Sequence, residues 1–182
     1  MQTIKPTSRT AILEAAFLTF NESPGASLSD VAERAGVGRA TLHRYFKSRG
    51  KLMTALAQTA LKELNDAVEA ATMDAQSHTD GLRLSMAAII PLANRQWFLS
   101  HELFDDGAEV TAAYKADIAE LHKEIEAARS EGSFSPDLST KWIAETYENL
   151  IYAAWTMIRE EEATPSQAAD MAWRTFMKGV SR

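Results

Sequence analysis

Cysteine is absent from this chain of 182 residues, which excludes disulfides and thiolate chemistry and suits a reducing compartment. Long apolar runs are missing as well: none approaches the roughly 20 residues needed to cross a bilayer. The N-terminal MQTIKPTSRT lacks the apolar centre of a secretory signal, so the expectation is a cytoplasmic protein with no membrane partner. Neither a glycine-rich phosphate loop nor a nucleophile elbow occurs, and the chain is not expected to be an enzyme. His101 and Asp105 stand four apart and could share a helix face, but two ligands do not make a site and no further histidine or cysteine has supporting spacing. Neither metal nor cofactor is expected. Sustained two-residue alternation, the mark of a strand, is also lacking, whereas nearly every long segment has helical periodicity. The fold class is all-α.

What is present is a globular composition, 46% hydrophobic and 24% charged, in a chain long enough for one ordinary core or two small ones. The net charge of −6 argues against a nucleic-acid partner until its distribution is considered. Residues 1–51 hold eight bases against four acids, and the remainder eleven bases against twenty-one acids. A basic N-terminal unit is joined to an acidic body, and the asymmetry points to a polyanion partner for the first part alone.

In that unit Ile12 or Leu13, Ala16, Phe17 and Phe20 fall on one face of a first helix, which NESPGAS then stops. Ser27 and Asp30 form a capping box, each side chain satisfying a free backbone N–H at the other's end. They open a short helix whose apolar face is Leu28, Val31, Ala32 and Ala35. AGVG interrupts it after about two turns, and Gly36 suits the left-handed backbone position that lets a second helix leave at a steep angle. This helix-turn-helix has a second helix over roughly 39–46 that buries Leu42 and Phe46, with Val37 at the turn. Facing outward are Arg39, Ala40, His43, Arg44 and Lys47, with Thr41 and Tyr45 at the margins.

Beyond Ser48, the residues Leu52, Leu56, Ala60 and Leu64 mark a long helix to about residue 73. Further helices are expected over about 80–90, 93–104, 108–131, 137–161 and 165–180. Pro91, Gly107, Gly132, Pro136 and the cap-then-proline pair Thr164–Pro165 punctuate them. The acidic run Glu160 to Glu162 lies near a helix C-terminus, where the dipole disfavours acids, and is expected in solvent. The plan is about nine helices: a three-helix head, a linking fourth, and a five-helix body.

A helix that enters the major groove needs donors for guanine edges and phosphates, and small residues where its backbone nears the DNA. Arg39 and Arg44 supply the first, Gly38 and Ala40 the second. Thr41 and His43 are placed for bases or phosphates, and Tyr45, Lys47 and Arg49 for the phosphate backbone. Ser27 and Gly38 sit at helix N-termini, where free N–H groups favour a phosphate oxygen.

The stretch SLSDVAERAGVGRATLHRYFKSRGKLMTAL resembles the helix-turn-helix signature of the tetracycline-repressor (TetR) family. Thr41, Leu42, Tyr45, Phe46, Lys47 and Ser48 match its Thr-Leu-Tyr-x-Tyr/His-Phe core and the lysine and small polar residue that follow. The resemblance is specific over roughly residues 8–56. It implies a homodimeric transcription factor, usually a repressor, that binds a near-palindromic double-stranded operator and is released when a small molecule enters the body. Carried over by position, Ser27, Gly38, Thr41, Tyr45, Lys47 and Arg49 correspond to phosphate contacts, and Arg39, Ala40, His43 and Arg44 to places facing the groove. The domain division that follows is 1–51 for DNA binding and 52–182 for ligand binding and dimerisation. Two residues depart from the pattern. His43 stands where tyrosine is commonest, and Lys51 stands where an acid usually completes a capping box with Ser48.

The resemblance implies dimerisation through the last two helices, which are rich in large apolar groups. Candidates for the interface are Trp142, Leu150, Ile151, Trp155, Ile158, Met171, Phe176 and Met177. Met86, Trp97, Phe98, His101, Phe104, Tyr147, Asn149 and Tyr152 combine aromatic bulk with a few polar groups, a lining that suits a moderately apolar ligand. A second reading belongs to another class: a small-molecule-binding or catalytic helical protein whose helix-turn-helix is only a packing module.

Overall fold

The computed structural model describes residues 8–101 and 108–181. Among them the regular structure is nine α-helices and one 3-10 turn. The head consists of α1 (Ser8–Glu22), α2 (Leu28–Arg34) and α3 (Arg39–Tyr45). Helix α1 buries the expected Ile12, Leu13, Ala16, Phe17 and Phe20, and also Ala15 and Thr19. The wider buried face reflects its surroundings, since α2, α3, α4 and α6 all pack against it.

Local chemistry sets the turn as the sequence predicts. The Ser27 hydroxyl accepts from the Ser29 and Asp30 amides, while the Asp30 carboxylate accepts from the Ser27 amide at 2.7 Å. Gly36 adopts φ +64°, a backbone conformation that a Cβ disfavours. The Val37 amide then donates to the Ala32 carbonyl at 3.0 Å, closing α2 and turning the chain toward α3. Leu42 and Phe46 are buried against the head's core.

The long connecting helix is α4 (Arg49–Thr72), capped by Ser48, whose hydroxyl accepts from the Lys51 amide at 3.3 Å. Leu52, Met53, Leu56, Ala57, Ala60 and Leu64 of α4 belong to the same apolar cluster as Phe17 and Phe20, joined by Phe98 and Leu99 from α6. The packing of the head therefore does not end at residue 51. A boundary drawn by charge cuts through the first turn of a helix whose buried side holds the head together.

The body comprises α5 (His78–Ile89), the 3-10 turn Ile90–Leu92, α6 (Ala93–His101), α7 (Ala108–Ser130), α8 (Thr140–Arg159) and α9 (Pro165–Val180). Thr164 caps α9 in a reciprocal box with Gln167, with Pro165 opening the helix as expected. Ser139 caps α8, so that helix starts three residues later than its expected start at residue 137. At its other end Arg159 is the last helical residue, and Glu160 to Glu162 are exposed. A second core forms where α5, α7, α8 and α9 meet. Its centre is aromatic: Phe134 and Tyr147 each meet the Phe176 ring edge to face, with centroids 5.7 and 5.4 Å apart. The Tyr147 hydroxyl donates to the Leu82 carbonyl at 2.7 Å, tying α8 to α5.

Five expected site residues belong to these cores, Tyr147 at the body's centre among them. Phe98 sits edge to face with Phe17 at 5.3 Å inside the head's cluster, and Met86 is fully buried in the body. Neither lines either of the two body cavities described below. Ile151 and Phe176, expected at a dimer interface, are 2% and 0% exposed within a single chain. A second copy could reach Phe176 only by opening the body, because α8 and α9 turn these side chains toward α5 and α7.

Candidate nucleic-acid interface and body cavity

Once Leu42 and Phe46 are buried, the remaining face of α3 is set by the helical period. Gly38, Arg39, Ala40, His43, Arg44, Tyr45 and Lys47 are exposed, with Thr41 half-buried at the edge. Among the described residues no ion pair engages Arg39, Arg44 or Lys47. The Arg44 guanidinium lies 5.4 Å from the centroid of the Tyr45 ring, which leaves its donors free for an acceptor outside the chain. A methyl group at Gly38 would meet nothing within 4 Å. The backbone at the start of α3 is thus open to close approach.

Two expected phosphate contacts are engaged elsewhere. The Arg49 guanidinium donates to the carbonyls of Ala26 at 2.5 Å and Pro24 at 2.6 Å, and it lies 4.3 Å from the centroid of Phe20. It fastens the turn before α2 to the start of α4, and is only partly exposed. No sequence signal marks this, because backbone carbonyls 23 and 25 residues away have no residue-type signature. The Ser27 hydroxyl is likewise held inside the α2 capping box. Arg34 pairs with Glu22 through both guanidinium nitrogens, at 2.5 and 3.0 Å. The bases of the head therefore divide in two: Arg34 and Arg49 brace it, while Arg39, Arg44 and Lys47 face outward.

Two adjoining cavities of about 250 and 210 Å³ lie in the body, the first between α6, α7 and α8 and the second reaching α4 and α5 as well. Trp97, Asn149 and Tyr152 line the first, and Tyr147 borders the second, as the sequence suggested. Trp97 and Tyr152 stack with centroids 4.2 Å apart and planes 21° from parallel. Phe104 lies outside the described residues, as does the side chain of His101. The sequence reading missed Gln96, Tyr114 and Glu148, which border both cavities, and Asp117 in the second. Glu145, Glu148, Asn149 and Tyr152 recur at helical spacing beside the apolar stripe of α8, a polar stripe that could have marked them.

The cavity lining is acidic and partly desolvated. Burial holds the Glu148 carboxyl above the usual carboxylate range, reinforced by the nearby Glu145 charge and partly offset by a hydrogen bond from Gln96. That bond runs from Gln96 Nε2 to Glu148 Oε1 at 3.0 Å. Burial also raises Asp117 and pushes the Tyr114 hydroxyl up to about 12, with the charges of Glu148, Glu145 and Asp117 adding to the effect on Tyr114. Beside Gln96, the buried Arg95 is held by Glu14 of α1 and by Glu63 of α4 at 2.8 Å, and lies 4.5 Å from the centroid of Phe17. Neighbouring residues of α6 thus grip the cavity and the head.

A capped helix-turn-helix with an outward basic helix is carried here on a helical body with a cavity. Residues 12–56 match the family model described as bacterial regulatory proteins, tetR family. The HTH-type transcriptional repressor LfrR of Mycolicibacterium smegmatis is 47% identical over 64 residues, which span 35% of this chain and 34% of the repressor. The HTH-type transcriptional regulator NfxB of Pseudomonas aeruginosa is 23% identical over 93% of this chain and 92% of its own length. The solved structure of LfrR in complex with proflavine covers 96% of this chain and 97% of that one, at 25% identity and a TM-score of 0.72. The helix-turn-helix head of this chain, residues 12–56, is thus similar to that of the tetR family of bacterial regulatory proteins. Among the described residues no helix is long and apolar enough to cross a membrane.

Proposed function

We propose that the chain is a homodimeric repressor that binds a near-palindromic operator through α3 and leaves it when a small molecule occupies the body cavity. The observation that carries the reading is the outward face of α3, where Arg39, Arg44 and Lys47 are held on a braced head without ion-pair partners among the described residues. Arg39, Ala40, His43 and Arg44 face the groove, and Gly38, Thr41, Tyr45 and Lys47 approach phosphates. Ser27 and Arg49 act indirectly, by fixing the angle of α2 and the turn before it. A protein that works on chromosomal operators acts in the cytoplasm.

Two heads must be held at a fixed spacing, about 34–36 Å for successive major grooves. The outer face of α8 and α9 supplies a surface for the second copy. Trp142 and Met171 are exposed there, and Leu150, Trp155, Ile158 and Met177 are partly covered. Release follows if an occupant of the cavity shifts α6: moving Gln96 moves Arg95, and with it the contacts to α1 and α4 that orient the head. LfrR being a repressor, and one solved with proflavine bound, supports both halves of the proposal.

Selection of duplexes from a randomised pool with the purified chain tests the reading, followed by sedimentation of the winning complex. Recovery of an inverted repeat bound by two copies supports it. A folded chain that enriches no motif refutes it, and would favour the reading in which the head is only a packing module.

A further inference from the structure

We infer that the body cavity takes an organic cation with a flat aromatic or apolar body, whose charge is seated at the Glu148 carboxylate where the two cavities meet. The inference rests on the proposed effector-released regulator and names the class of that effector.

The lining has charge of one sign. Glu145 and Glu148 border the first cavity, and Asp117, Glu120, Glu124 and again Glu148 the second, with no lysine or arginine among the described residues that line either. Two of these acids already have basic partners: Glu120 pairs with Lys123 at 2.7 Å, and Glu124 with His78 at 2.9 Å. Glu148 and Asp117 meet neutral amides instead, Gln96 for the first and Asn65 for the second. Arg95, the base nearest in sequence to Gln96, is committed to Glu14 and Glu63. A half-buried carboxylate with only an amide beside it has lost hydration without gaining a counter-charge, which is costly. A cationic guest removes that penalty, a neutral guest deepens it by excluding the remaining water, and an anion adds repulsion.

Shape argues for the rest of the ligand. The Trp97 and Tyr152 pair offers a flat aromatic wall on the first side, and aromatic faces attract cations and planar rings. On the second side Leu64, Val68, Leu82, Ile118 and Leu121 offer an apolar chamber. Taken together the two chambers come into the range of about 300–1,000 Å³ typical of small-molecule sites. Burial's upward pressure on the Glu148 and Asp117 carboxyls is the same desolvation seen from the proton's side.

The test titrates proflavine, a flat aromatic cation near neutral pH, and acridine, the same ring system largely uncharged there, into the full chain by calorimetry. Glu148→Gln keeps an oxygen for Gln96 to donate to and removes only the charge, and Asp117→Asn is the second variant. Proflavine is expected to bind the unmodified chain, to weaken about tenfold in Glu148→Gln, equivalent to about 1.4 kcal/mol, and to weaken less in Asp117→Asn. Acridine is expected to bind the unmodified chain more weakly than proflavine and to lose no affinity in either variant. Equal affinity for the two dyes, proflavine binding indifferent to both substitutions, or no binding of proflavine would each overturn the inference. Operator binding by the selected duplex is measured alongside. If it persists while the dye results fail, the cation is refuted and the regulator stands. If no duplex is ever bound, it is the regulator that fails.

Discussion

Replacing Arg95 by methionine removes a guanidinium and keeps most of the aliphatic stem, so it isolates the charged grip between α6 and the head. The side chain is 9% exposed, whereas its partners Glu14 and Glu63 are 47% and 38% exposed. Hydrogen bonds to charged groups contribute about 1.5–3 kcal/mol each. Half-exposed carboxylates recover much of that from water once the base is gone, and their pairing is screened by solvent. The contact with Phe17 survives in part, since a thioether also packs on aromatic edges. The net loss is therefore expected at about 2 kcal/mol, lowering Tm by roughly 4–8 °C for a chain of this size. Urea denaturation at fixed protein concentration, with unchanged m-value, is the assay. Cycles with Glu14→Gln and Glu63→Gln should each show coupling of about 0.5 kcal/mol or more. A variant within about 0.5 kcal/mol of the parent, the ordinary range for surface changes, would refute the claim that Arg95 holds head to body. If the grip also carries the signal, Arg95→Met should bind operator but respond weakly to any effector.

On DNA, Arg44→Ala should relax base preference at one position by about 1–3 kcal/mol, while Lys47→Ala should weaken all sequences alike and reduce the salt slope by about one. Equal losses for Arg44→Ala on cognate and scrambled duplexes would remove it from base reading. Tyr147→Phe deletes the hydrogen bond to Leu82 inside a packed core and should lower stability by about 1 kcal/mol, as read by thermal unfolding; no change would mean the hydroxyl is idle. Glu148 has its carboxyl raised above its ordinary 4.5 in the folded chain, so the folded state favours the protonated form. Its contribution is fully present below 4.5 and is lost as pH rises through the raised value. Without ligand, Glu148→Gln should therefore match the parent in acid and be the more stable near neutrality. Parallel stability curves across that window would refute the buried charge.

Legible in the sequence were most of the helices, the caps at Ser27 and Thr164 and the outward face of α3. Each of these depends on residues no more than about four apart, within the reach of one helical turn. Ser27 with Asp30, Gly36 with its positive φ, and Thr164 with Pro165 stand as read because a cap or a left-handed turn is settled among neighbours. Which base braces the head and which faces outward depends on the tertiary structure. Arg49 meets carbonyls of an earlier turn, and Arg95 meets Glu14 from 81 residues away, and periodicity carries no information over such distances. The same holds for the body, where Ile151 fills the core and borders both cavities while its neighbour Tyr152 stacks on Trp97 at the first. An apolar residue on a helix must be covered, but the chain alone does not say whether its own core, a ligand or a second copy covers it.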